Sequence, residues 1–120
     1  MENSRYKDLY KHLKQEGFSV YTPGQKTGEC TAPYVVIKDT GTAQFAGFSS
    51  TQSVYDLMCY VPKDKYTDLD LYVDSVEVAM KGLYPMFKSA HYRTPAYYDE
   101  SCKAYMVSTQ YYNYKKFNNN

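Results

Sequence analysis

Gln52-Ser53-Val54-Tyr55-Asp56-Leu57-Met58-Cys59-Tyr60-Val61 decides the fold. The run holds no Gly or Pro, is rich in Val, Leu and Tyr, and ends at Pro62, so it predicts a long strand. One parity, Tyr55, Leu57, Cys59 and Val61, carries no charge and is assigned to the core. The other, Val54, Asp56, Met58 and Tyr60, is still half apolar. An antiparallel sheet with one solvated face shows cleaner polar alternation. The second face is therefore expected to be covered, by another molecule or by curling round a shared barrel.

Upstream, Tyr6, Leu9, Tyr10 and Leu13 recur at three and four residues and predict a helix from an Asn3 or Ser4 cap to about Glu16. Gly17 suits the left-handed position that closes such a helix. Phe18-Ser19-Val20-Tyr21 reads as a short strand, residues 24–32 as an exposed loop, and Tyr34–Asp39 as a strand by its β-branched content. Residues 40–51 read as a second loop. It is made of small residues but holds Phe45 and Phe48, which are expected to pack on this domain or on a neighbouring subunit.

Downstream, Thr67 or Asp68 begins a second helix with the apolar stripe Leu69, Val73, Val76, Met80 and Leu83, widened by Tyr72 and Ala79. Asp70, Asp74 and Glu77 fall on the solvated side. Met86–Arg93 is expected to be a strand with Phe87 and His91 on one parity. Residues 94–101 supply turn chemistry. Ala104–Phe117 is expected to be a long last strand, and neither of its parities, Tyr105/Val107/Thr109/Tyr111 or Met106/Ser108/Gln110/Tyr112/Tyr114, is plainly solvent-facing. The expected fold is one α+β domain over residues 1–117, a mainly antiparallel sheet of four to five strands with two helices on one face, and a frayed tail at 118–120.

The chain has 16 Tyr in 120 residues and no Trp. A core of this size cannot bury that many rings on one sheet face. Tyr outside the core is a rigid, amphipathic contact group of the kind enriched at protein interfaces. The reading is assembly, against a compositional bias with rings at the rim of the core. Net charge is +1, so no global field steers the chain to nucleic acid or an anionic membrane. Arg5, Lys7, Lys11 and Lys14 make the first helix basic, whereas Asp64, Asp68, Asp70, Asp74 and Glu77 make the second acidic. That asymmetry suits head-to-tail contact between copies, and equally suits two solvated helix faces.

No chemistry stands out. Cys30, Cys59 and Cys102 form no paired spacing, which favours reduced thiols. His12 is expected to be solvated and His91 to be a rim residue, neither catalytic. The acidic helix lacks the shaped oxygen-rich loop of a hard-cation site. Gly24-Gln25-Lys26-Thr27-Gly28 is not a phosphate loop. No cofactor, metal or membrane span is expected. Tyr111, Tyr112, Tyr114, Lys115 and Lys116 would suit stacking on single-stranded nucleic acid, which keeps a small binder of that kind as an alternative.

The order of elements, with Phe18–Tyr21, Tyr34–Ile37, Ser50–Pro62, Leu69–Leu83 and Met106–Tyr112, resembles the tail-terminator (tail-completion, tail-to-head joining) proteins of long-tailed bacteriophages and related particles. The resemblance covers nearly the whole chain in element order and length and has no diagnostic motif. It implies a virion protein of the tail or neck, present in host cytoplasm during assembly. It further implies a homo-oligomeric ring, commonly a hexamer, that caps the tail tube, meets the head–tail connector and lets DNA through without reading it. No catalysis is implied. Carried onto this chain, the interface candidates are Lys26 and Glu29, Phe45 and Phe48, Met58 and Tyr60, with Tyr112 and Tyr114 on the last strand. A head-completion or connector adaptor is the neighbouring alternative.

Overall fold

The computed structural model describes residues 5–44 and 50–116, and along 42–44, 50–52 and 114–116 its backbone alone. The elements are α1 (Tyr6–Gln15), β1 (Val20–Tyr21), β2 (Tyr34–Gln44), β3 (Ser50–Pro62), a 3-10 turn (Lys63–Asp68), α2 (Leu69–Met80), a second 3-10 turn (Lys81–Leu83), β4 (Lys88–Arg93), β5 (Tyr97–Asp99) and β6 (Ala104–Lys116). The class is α+β, as expected. The sheet is six-stranded and mixed rather than four- to five-stranded, in the order β1-β2-β3-β6-β4, with β5 also on β6. β1 runs parallel to β2, and every other pairing is antiparallel. The extra strand is Tyr97–Asp99, where turn residues conceal three strand positions paired with Ala104–Met106.

The core lies between the sheet and the helices. Tyr55, Leu57, Cys59 and Val61 all face it, joined by Val35 and Ile37 of β2 and by Leu9, Leu13, Leu69, Val73, Val76, Met80 and Phe87. The undecided last strand resolves to the same side at Val107, Thr109 and Tyr111, because its register sets Cys59 against Val107, Leu57 against Thr109 and Tyr55 against Tyr111. The other parity, Met106, Ser108, Gln110 and Tyr112, turns to the outer face.

α1 ends as its sequence predicts. Gly17 has φ +98°, and the Phe18 and Gly17 amides donate to the Leu13 and Lys14 carbonyls, a closed Schellman pair. Its start differs, because the cap position is Arg5 and no side chain caps it; Asn3 and Ser4 lie outside the described residues. Asp68 does sit at the cap of α2, again without a capping bond, since the preceding 3-10 turn feeds the helix directly. The pairing of Phe87 with His91 fails. Phe87 is in the core, but the β4 register shifts between Ser89 and Arg93, and His91, at φ +57°, is thrown outward.

Of the loop expected at 40–51, the described residues, 40–44 and 50–51, are strand. Thr42, Ala43 and Gln44 pair with Ser53, Gln52 and Thr51, and β6 follows β3 out to Lys116. At roughly 3.3 Å per residue, β3 and β6 outrun the helical layer. With the end of β2 they form a three-stranded arm, and the molecule measures 50 × 27 × 25 Å. A bulge between Asp39 and Gly41 bends the arm at its base, with Gly41 at φ +112° and its amide held by the Asp39 carboxylate. Phe45 and Phe48 fall outside the described residues, as does the tail at 118–120.

Candidate assembly surfaces

The outer sheet face is built on cross-strand neighbours. Register places Tyr34, Tyr60, Met106 and Tyr97 in one row across β2, β3, β6 and β5, with Val36, Met58 and Ser108 in the next. The Tyr60 ring stacks on Tyr34 at 4.9 Å, and Tyr21 meets Tyr34 edge-on at 5.4 Å. Burial, and Asp99 next, pushes the Tyr60 phenol up to about 12, so it stays neutral and can donate a hydrogen bond at any physiological pH. Farther along the same face the row becomes polar, with Lys38, Asp56 and Gln110 opposite one another.

Part of this face is covered by the chain itself, a cover that neither expected alternative, another molecule or a shared barrel, included. Cys30, in the loop read as exposed, is buried with Tyr34, Val36 and Ala104, and its amide donates to the Cys102 carbonyl at 2.8 Å. The Lys26 ammonium lies 5.8 Å from the Tyr34 ring centre. Tyr34 is consequently 4% exposed, whereas Tyr97, at the far end of its row, is 57% exposed. Between loop and strands runs a groove of about 500 Å³ lined by Lys26, Tyr34, Met58, Tyr60, Asp99 and Cys102.

Of the predicted interface residues, Lys26, Met58 and Tyr60 thus converge around Tyr34. Glu29 is exposed on the same loop. Tyr112 is half-buried on the outer face, in register with Val54 and Lys88, six positions along β6 from Met106 and therefore about 20 Å away. Tyr114 pairs with Gln52 in the arm, and its side chain is outside the described residues.

The helical layer carries a surface that periodicity did not single out. Leu71 and Val78 are 69% and 63% exposed on α2. Seven residues apart, they share one helix face, opposite the buried stripe. The signal was present as two apolar residues off the core stripe, and it was masked by the acidic residues between them. Those acids are less solvated than expected. Arg93 of β4 donates from Nη2 to Asp74 at 2.6 Å and to Glu77 at 2.7 Å, and the Thr109 hydroxyl donates to Glu77 at 2.9 Å. The Arg93 hydrogen bonds hold the Glu77 carboxyl below the ordinary carboxylate range. His12 is likewise engaged: its Nε2 hydrogen-bonds the Ala79 carbonyl at 2.7 Å, so it carries the proton there and ties α1 to α2.

A second cleft, of about 470 Å³, lies between the end of α2 and β4, with Met80, Phe87 and Tyr111 among its lining and His91 and Glu77 at its polar side. Glu77 is committed to Arg93 and Thr109, so it is no free base for His91. Among the described residues no three His, Cys, Asp or Glu side chains gather as a metal would require, and no helix is long and apolar enough to cross a membrane. Comparison with protein-family models and with curated proteins found no match to this chain.

Proposed function

We propose that this chain is a structural subunit that assembles head to tail with copies of itself, as a ring of the phage tail or neck that caps the tail tube and joins it to the head connector. One observation carries the assembly reading: two unlike apolar patches lie on opposite faces of the two-layer sandwich. The helix face presents Leu71 and Val78, and the sheet face presents the row ending at Tyr97. A closed ring needs heterologous contacts, one patch meeting a different patch on the next copy. Exposed apolar groups placed this way supply both halves of such a contact, and the arm extends the reach of each subunit. The acidic helix contributes less to charge matching than its sequence suggests, since Asp74 and Glu77 answer Arg93 of the same chain. The tail or neck role rests on the resemblance in element order.

Light scattering across a concentration series, with and without tail-tube protein, tests the reading. Concentration-dependent oligomers or capture on tube ends are expected. A strictly monomeric mass with no tube binding removes it. Particles made without the protein separate the roles within the class, because overlong tails mark a terminator whereas normal tails lacking heads mark an adaptor.

A further inference from the structure

We propose that Cys30 and Cys102 are a disulfide-forming pair that staples the loop at residues 22–33 onto the turn between β5 and β6. The Cys30 amide donates to the Cys102 carbonyl at 2.8 Å. A single backbone bond of that length, with ordinary bond lengths and angles on either side, leaves the two α-carbons about 5–6.5 Å apart, inside the window of roughly 4.4–6.8 Å that disulfides use. Both side chains lie under the outer sheet face, Cys30 buried in the cluster with Tyr34 and Cys102 packed against it. The Cys30 thiol now donates to the Ala32 carbonyl at 3.3 Å, a weak bond that a small rotation about its side chain gives up. Cys102 is the partly exposed member and meets an oxidant first. Cys59 takes no part. It is fully buried on the opposite side of the sheet, beneath the helices.

The step balances with a small disulfide such as oxidised glutathione as oxidant. The Cys102 thiolate attacks one glutathione sulfur, forming a mixed disulfide and releasing one glutathione thiolate. The Cys30 thiolate then attacks the Cys102 sulfur and expels the second. The protein loses two electrons and two protons, and the oxidant becomes two thiols. Burial, foremost, raises both protein thiols above their ordinary pKa, so the exchange is slow at neutral pH and runs over hours. The bond closes a loop of most of the chain, which is where a cross-link restricts the unfolded state most. It also holds Lys26 and Tyr34 in place, so the covered part of the outer face becomes permanent. The inference does not depend on how the chain assembles.

The test is to incubate the folded, full-length protein with oxidised glutathione, quench with an alkylating agent, and map peptides without reduction. A linked Cys30–Cys102 peptide within single chains, Cys59 alkylated throughout, and a Tm raised by roughly 10 °C that a reductant reverses are the expected results. Glutathione left on Cys102 without progress to a link, links between chains only, or alkylation of all three cysteines after prolonged oxidation would each overturn it. The wild-type chain serves throughout, so no variant has to fold for the answer to be read.

Discussion

The Tyr60 ring lies over the Tyr34 ring on the sheet face turned away from the helices, with centroids 4.9 Å apart and planes 23° from parallel. The pair binds β2 to β3 outside the main core, and Tyr60 remains partly exposed at the groove. Tyr60→Ala removes one stack and part of a ring's burial, a loss of about 1–2 kcal/mol. Tyr55→Ala is a different case. Tyr55 sits against Phe87 and Tyr6 inside the core, and its truncation costs about 3–5 kcal/mol. Urea unfolding set beside light scattering checks the contrast. Tyr60→Ala should weaken self-association more than it lowers stability, and the reverse ranking would place the ring's role inside the fold.

Glu77 and Arg93 give the fold an acid-sensitive clasp. Arg93 joins the β4 edge to α2, and the two side chains are 29% and 32% exposed. Because the carboxyl is held below its ordinary range, the folded state binds its proton less readily than the unfolded chain does. The contribution is complete above the unfolded pKa of about 4.3 and drains as pH falls through the lower folded value. Glu77→Gln should cost about 2 kcal/mol at pH 7, less than a fully buried pair would. The gap from wild type should narrow as acid protonates Glu77 in the parent. Thermal melts of both proteins from pH 7 to about pH 3 read this directly, and parallel curves would show that the clasp contributes nothing that titrates.

His12 fills the space where Gly82 has no side chain. A β-carbon built on Gly82 would lie 2.9 Å from His12 Cε1, while His12 Nε2 is held 2.7 Å from the Ala79 carbonyl. Gly82→Ala must push the ring off that carbonyl and should destabilise by about 1–2 kcal/mol. With His12→Ala already present, the same change meets open space. It should then be neutral or slightly stabilising, because Ala loses less backbone entropy than Gly. A double-mutant cycle by chemical denaturation measures the coupling, and additive effects would mean the ring does not occupy that space.

The long alternating run and the two apolar stripes made the architecture legible, since Tyr55 through Val61 and Leu69 through Met80 obey the periods of strand and helix without conflict. What stayed hidden was set by pairing between distant segments. Tyr97–Asp99 is a strand only because β6 offers it an edge, and its own residues read as a turn. Thr40–Gln44 are strand because β3 runs alongside, although Gly41 and Ala43 have little strand preference of their own and Gly41 breaks the run. Glu77 looked solvated because its partner lies on β4, behind a bulge whose extra residues no local pattern announces. On the candidate surface, Met58 and Tyr60 were visible as apolar residues on the wrong parity. The cover that Cys30 and Lys26 provide was not, because a loop without periodicity gives no direction for its side chains.

Two patches on opposite faces make a prediction that a symmetric interface would not. Tyr97→Asp changes a ring that is exposed on β5, and the pair Leu71→Lys, Val78→Lys changes only the outward face of α2. Neither touches the core, so stability should stay within about 0.5 kcal/mol of wild type, as melting checks. In a heterologous ring each copy gives its sheet face to one neighbour and its helix face to the other. Either variant alone should therefore fail to close rings, since every contact in its assembly meets one spoiled patch. Mixed in equal amounts, the two should form a single good contact, the intact helix face of the first against the intact sheet face of the second. A light-scattering mass of one heterodimer and nothing larger is the expected outcome. Rings from either variant alone, or a mixture that stays monomeric while both components remain folded, would rule out contact between these two faces.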